Sequence, residues 1–343
     1  MKLFGLIRKL MLSLIVMAIV SLFAMVSLSG PYKDPQDAGT EPPPSPSLPP
    51  LDQLLPEGPR ADADMMLHVL SGGEIVEMSM ERYLIGVVAA EMPAGFPLEA
   101  LKAQSIAART IVLYNIQVTP SQLHPQADAC TDYKCCMAFL RDDQLREGWG
   151  DSYLDNIMRI ISAVVGTDGV YMLYDNEPIL ALFHSSSAGK TESSGNVWMT
   201  DLPYLVSVDS PESSADDPNY IKAVSVSGSD FKDIITESYP DAVFGDDAGL
   251  WITDIAYTES GRILELTIGG AVVKGTELRS MFDLRSTAIT IEISDNNIIF
   301  TVTGYGHGVG MSQYGAASMA RDGKQAKEIL SVYYEGVVFS DAP

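Results

Sequence analysis

Half of the twenty prolines in this chain fall within residues 31–60, and they set the limits of what can fold. Proline fixes φ and lacks an amide donor, so PYKDPQDAGTEPPPSPSLPP and the ten residues after it can build neither a helix interior nor a central strand. The segment reads as an extended, semi-rigid linker. Ahead of it, Lys2, Arg8 and Lys9 form a basic head, and Leu10–Gly30 carries no charge. A helix of that length rises about 30 Å, the thickness of a hydrocarbon core. Such a run favours an uncleaved signal anchor over a cleaved leader, whose apolar region spans about 7–15 residues. Small residues at Ala24 and Ser27–Ser29 leave cleavage open. The basic head puts the N-terminus in the cytoplasm and everything after the span outside. Three parts are expected: a transmembrane signal anchor at 1–30, a linker at 31–60 and a folded domain at 61–343.

The folded part, about 280 residues, suffices for a large core in one lobe or two. Beyond residue 30, 19 Lys and Arg face 45 Asp and Glu. That field repels nucleic acid and anionic lipid, so a polymer bound here must be held by local hydrogen bonds and stacking. Alternating stretches at Met65–Leu70 and Glu74–Met78 suit strands. The spacing of Tyr83, Val87 and Ala90 predicts a helix over Met80–Glu91, stopped by Pro93, and Pro97 opens a second helix to Asn115. Further helices are expected at Tyr153–Val165, Ser229–Ser238 and Gly275–Phe282. Strands are expected at Gly169–Tyr174 with Ile179–Phe183, and at Trp251–Tyr257, Ile263–Ile268, Thr287–Ile293 and Ile298–Thr303. The order lacks regular βα alternation, which points to an α+β fold of mixed helices and antiparallel strands.

Four constellations carry chemistry. Glu91 follows the apolar run Val87–Ala90; apolar surroundings raise a carboxyl's proton affinity and fit it to donate and then accept a proton near neutrality. Spacing alone favours a solvent-exposed helix end over such a role. FHSSSAGKTESSGNVW, Phe183–Trp198, offers hydroxyls and an aromatic suited to a sugar. Serines beside His184 suggest a hydrolase, yet no G-x-S-x-G elbow accompanies them and no orienting acid is evident. GYGHGVGMSQYGA, Gly304–Ala316, is glycine-rich but matches neither a phosphate-binding loop nor a dinucleotide fingerprint. HPQADACTDYKCC holds His124, Cys130, Cys135 and Cys136, a donor set for a structural zinc, with a Cys130–Cys136 or Cys130–Cys135 disulfide as the alternative.

AAEMP with EALKAQSIAART, FHSSSAGKTESSGNVW and GHGVGMSQYGA, in that order, resemble the stage II sporulation protein D family. The resemblance implies a lytic transglycosylase that cuts peptidoglycan glycan strands during engulfment of the forespore, on strands already stripped of peptides. It implies an amidase and engulfment membrane proteins as partners, and a place in the intermembrane space of the sporangium. It makes Glu91 the acid/base and the Cys/His loop a zinc position, with Cys135 standing where a histidine is often found. Related wall proteins carry these motifs too, so a non-catalytic, wall-binding enhancer of an amidase is the rival. Glycan contacts are expected from Ser187, Thr191, Tyr204, His307 and Gln313, with Lys102 and Arg109 on the second helix orienting polar groups of the cleft.

Overall fold

The computed structural model describes residues 48–340 apart from 199 and 295. The anchor expected at 1–30 and most of the linker lie outside the described residues. Among the described residues, no helix is long and apolar enough to cross a membrane.

The fold is α+β, as expected. Its centre is the helix Leu98–Gln117, capped by Pro97. Ala100, Ala103, Ala107 and Ala108 are buried along it, and their small side chains let other helices close in. Met80–Glu91, Tyr153–Val165, Gln313–Arg321 and Ala326–Tyr333 all pack against it. Beside this bundle lies the antiparallel hairpin Met66–Ser71 and Glu74–Ser79. Its turn is Gly72–Gly73, where φ of 60° and 90° requires glycine. Ala129–Cys130 adds a short parallel strand to the hairpin.

Residues 221–303 form a second lobe with its own core. Strands Ile221–Ser227 and Ile289–Ser294 flank Asn297–Thr303, and Ile252–Tyr257, Ile263–Ile268 and Ala271–Lys274 make another antiparallel sheet. Phe231 stacks on Phe282 at 5.3 Å and on Trp251 at 6.3 Å in this core. Buried Glu192 ties the lobes together by accepting from Thr258 and Ser260, both at 2.6 Å.

One expectation fails. The strand pair around Asp175–Asn176 exists, but Met172–Tyr174 pairs with Glu177–Pro178 and not with Ile179–Phe183. The backbone of that apolar run is used elsewhere: Leu180 donates to the Tyr204 hydroxyl at 3.1 Å and Leu182 accepts from Met311 at 3.0 Å. Only Phe183 and His184 become strand, pairing in parallel with Met311–Ser312. The helix at Asp142–Trp149 and the strand Ile221–Ser227 lie outside the sequence-based assignments.

Candidate active site

The helix Met80–Glu91 opens on Ser79, whose hydroxyl accepts the amide of Arg82 at 3.3 Å. It closes on Glu91, because Met92 turns extended and Pro93 lacks the amide of a further turn. Glu91 keeps some contact with solvent, yet protein surrounds its carboxyl closely. Its Oε1 accepts the amide of Ala138 at 2.7 Å, and the side chain of Gln313 donates a second hydrogen bond. Burial pushes the carboxyl up from its ordinary value to about 7, while both hydrogen bonds favour the carboxylate and oppose that rise. Near neutral pH the group is divided between its two forms. Gln313 also donates from Nε2 to Oε1 of Gln104 at 3.5 Å, which links the acid to the central helix.

The Ala138 amide is held by a strap, residues 136–140, laid across the acid's helix. Leu140 donates to the Gly86 carbonyl at 3.1 Å, and Phe139 stacks on Tyr83 with ring centroids 5.7 Å apart. A Cβ at position 86 would collide with the Phe139 ring, so glycine is what allows this approach. At its other end the strap runs into the cysteine cluster.

Ligand atoms of His124, Cys130, Cys135 and Cys136 lie within 4.8 Å of one another, and all three thiols are free. His124 Nδ1 faces the Ala127 carbonyl at 3.0 Å, which turns Nε2 toward the sulfurs, 3.3 Å from Cys136 Sγ. Donation of one ring nitrogen to a carbonyl is how metal-binding histidines are oriented. Hydrogen bonds among the thiols push Cys130 far down, and Cys130 and Cys135 together raise His124 to about 10. The residues therefore form a compact, electron-rich set. A tetrahedral zinc with bonds of about 2.3 Å needs donor separations near 3.8 Å, and this set fits.

Most of the other residues expected to contact glycan make hydrogen bonds or ion pairs inside the fold. Arg109 is buried, donating from Nε to Asp62 at 2.9 Å and from Nη1 to the Val170 carbonyl at 2.8 Å. Lys102 pairs with Glu99 at 2.7 Å. Ser187, fully buried, meets His184 Nε2 at 2.7 Å and donates its amide to Glu212. His184 Nδ1 faces the Val309 carbonyl at 3.1 Å rather than an acid, so these residues are not a hydrolase triad. Thr191 accepts the Val208 amide at 2.9 Å, and the buried Tyr204 hydroxyl accepts that of Leu180 at 3.1 Å. His307 is half-buried; it accepts the Val309 amide at 3.1 Å and is pushed down to about 3, chiefly by burial. Gln313 is the expected contact that reaches the acid, and it does so as a partner of Glu91.

The family model described as Stage II sporulation protein matches residues 71–174, which hold Glu91 and all four donors of the cysteine cluster. Stage II sporulation protein D of Bacillus amyloliquefaciens is 37% identical over 273 residues, covering 79% of this chain and 77% of its own. This chain belongs to the stage II sporulation protein D family. The Bacillus subtilis (strain 168) protein of that name is 35% identical over 269 residues, 78% of this chain and 76% of its own. The amidase enhancer of the same organism is 29% identical over 308 residues, 75% of this chain and 40% of its own.

In this family member, sequence reasoning missed several residues that build the site. The buried Glu212 carboxylate gathers the amide of Ser187 and the hydroxyls of Ser210 and Ser312, locking the hydroxyl-rich and glycine-rich loops together. Gln104 and the Ala138 amide are the other two, and an amide leaves no side-chain signature. Phe96 and Tyr314 form an edge-to-face pair with centroids 5.1 Å apart. Both aromatics stood in the sequence within five residues of Glu91 or directly after Gln313.

Proposed function

We propose that this member of the stage II sporulation protein D family is a lytic transglycosylase acting on peptidoglycan glycan strands. The observation that carries the reading is Glu91: a carboxyl raised by burial to about 7, with one amide and one side chain to orient it. Among the described residues, no second carboxylate acts on it, which suits a reaction whose nucleophile comes from the substrate. Ordinary glycosidases use two carboxyl groups.

Protonated Glu91 gives its proton to the glycosidic oxygen between N-acetylmuramic acid and N-acetylglucosamine as the C1–O bond breaks. The departing oxygen keeps the bonding electrons and leaves as a hydroxyl. The Glu91 carboxylate, held by Ala138 and Gln313, then takes the proton of the muramic C6 hydroxyl as that oxygen bonds to C1. A 1,6-anhydro ring closes and the acid is restored. Proton affinity matched to neutral pH serves both halves.

His124, Cys130, Cys135 and Cys136 would hold a structural zinc, which supplies a cross-link and no catalytic group. The strap that bears the Ala138 amide begins at Cys136, so this cross-link would steady the acid's hydrogen bond. Residues 1–30 would anchor the protein with its domain, residues 61–343, outside the cytoplasmic membrane. An amidase that strips stem peptides would be its partner. The similarity to an amidase enhancer supports a second reading, a wall-binding module that stimulates such an enzyme without cutting. Glu91→Gln separates them: we expect release of anhydromuramic ends from peptide-free glycan to cease while glycan binding persists. Undiminished release would remove Glu91 from the chemistry, and no release by the unaltered protein would favour the enhancer.

A further inference from the structure

We infer that Phe96 and Tyr314 form an aromatic subsite beside Glu91 that takes the apolar face of an N-acetylhexosamine; this rests on reading the surroundings of Glu91 as a glycan site. Two chain segments that already build the acid's surroundings bring the rings together. Phe96 ends the short turn after the acid's helix, its amide donating to the Pro93 carbonyl at 2.9 Å. Tyr314 directly follows Gln313, whose side chain hydrogen-bonds Glu91. The rings meet edge to face, at 67° with centroids 5.1 Å apart.

Phe96 packs against the edge of the main core, yet neither ring is enclosed. Phe96 and Tyr314 are half-buried, whereas Tyr333 and Tyr334 in the same C-terminal region are completely enclosed. Both are held on rigid backbone. Arg159 donates to the carbonyls of Ala94 at 2.8 Å and Phe96 at 2.6 Å, and the Tyr314 amide donates to Ser185 at 3.0 Å. A fixed, partly open aromatic corner next to a carboxyl group suits a pyranose, which shows C–H groups on its face and hydroxyls at its edge. In a chain this acidic, stacking holds a glycan without asking for bulk charge attraction.

The test uses full-length protein carrying Glu91→Gln and a peptide-free glycan oligomer, with affinity read by calorimetry. Tyr314→Ala is expected to weaken binding about tenfold or more, the loss typical of removing an aromatic anchor, and Tyr314→Phe to retain most of it. Melting temperature shows whether Tyr314→Ala is folded. Independently, saturation transfer from aromatic protons to sugar C–H groups is expected with Tyr314 present, and this measurement needs no variant at that position. Unchanged affinity in folded Tyr314→Ala, or no such transfer at saturating glycan, overturns the subsite. If anhydro ends form but affinity is unchanged, the reaction stands and the subsite falls. If affinity is lost but the unaltered protein makes no anhydro ends, the subsite stands and the reaction falls.

Discussion

Gly86→Ala probes the acid from a distance. The added methyl group would fall within the Phe139 ring, so residues 136–140 must retreat from the helix. Alanine gains about 1 kcal/mol of helix propensity and overpacking costs about 1–3 kcal/mol, so the protein stays folded. The retreat lengthens the 2.7 Å bond from the Ala138 amide to Glu91. That bond favours the carboxylate, and a hydrogen bond to a charged group is worth about 1.5–3 kcal/mol. Losing it raises the proton affinity of Glu91 by roughly ten- to a hundredfold. The direct assay is carboxyl titration by carbon NMR with labelled glutamate, backed by the pH dependence of kcat/KM. Because the first step needs protonated Glu91, kcat/KM declines as pH rises through about 7 in the unaltered protein. In the variant this decline is expected at least one pH unit higher, by roughly the smaller of those two factors. Titration still centred near 7 in a variant whose Phe139 has visibly moved would show that the amide does not tune the acid.

Three further outcomes follow from the same geometry. Folded Glu91 has its titration raised from 4.5 to about 7, so the stability present with the group protonated, below about pH 4.5, is lost as pH rises through 7. Glu91→Gln is therefore expected to exceed the unaltered protein in stability at pH 8 by up to about 3 kcal/mol, and denaturant melts that show no such gain would count against the buried acid. Arg109→Met strands the buried Asp62, whose own titration burial raises; it is expected to cost about 3–5 kcal/mol, partly recovered by adding Asp62→Asn, with glycan affinity unaltered. Metal analysis of the purified protein is expected to find equimolar zinc whose chelation lowers the melting temperature, whereas metal-free protein with a Cys130–Cys136 disulfide would reject the ligand set.

Elements punctuated by proline were legible in the sequence. Pro93 and Pro97 frame the gap between the acid's helix and the central helix, and both helices lie where periodicity put them. Elements stabilised by distant partners were not. Ile221–Ser227 is mostly exposed or half-buried and lacks a clean alternation; its pairing comes from Asn297–Thr303, seventy residues on. The helix Asp142–Trp149 buries only Leu145, so it has little apolar period to detect. The apolar run Ile179–Phe183 looked like a strand because burial and strand pairing leave the same composition.

Within the site, Glu91 and the Cys/His cluster stood out in the sequence because carboxyl, thiol and imidazole groups are the side chains that move protons and bind metals. In the hydroxyl-rich loop, Ser187 and Thr191 look the same in sequence whether they face solvent or fold inward. Glu212 decides that: it collects serines from two loops into the interior. No sequence pattern marked that acid among its neighbours in PESSADDP. The burial of Arg109 was hidden for a related reason, since its partner Asp62 lies 47 residues away.

Digestion of peptide-free glycan by the full-length protein in heavy-oxygen water tests the proposed chemistry most directly, with mass spectrometry of the new ends as readout. If the muramic C6 hydroxyl is the nucleophile, the new muramic ends are anhydro and carry no heavy oxygen, and Glu91→Gln releases none of them. Reducing muramic ends labelled with heavy oxygen would mean that water attacks C1, and Glu91 would then need a second catalytic group that this reading does not give it.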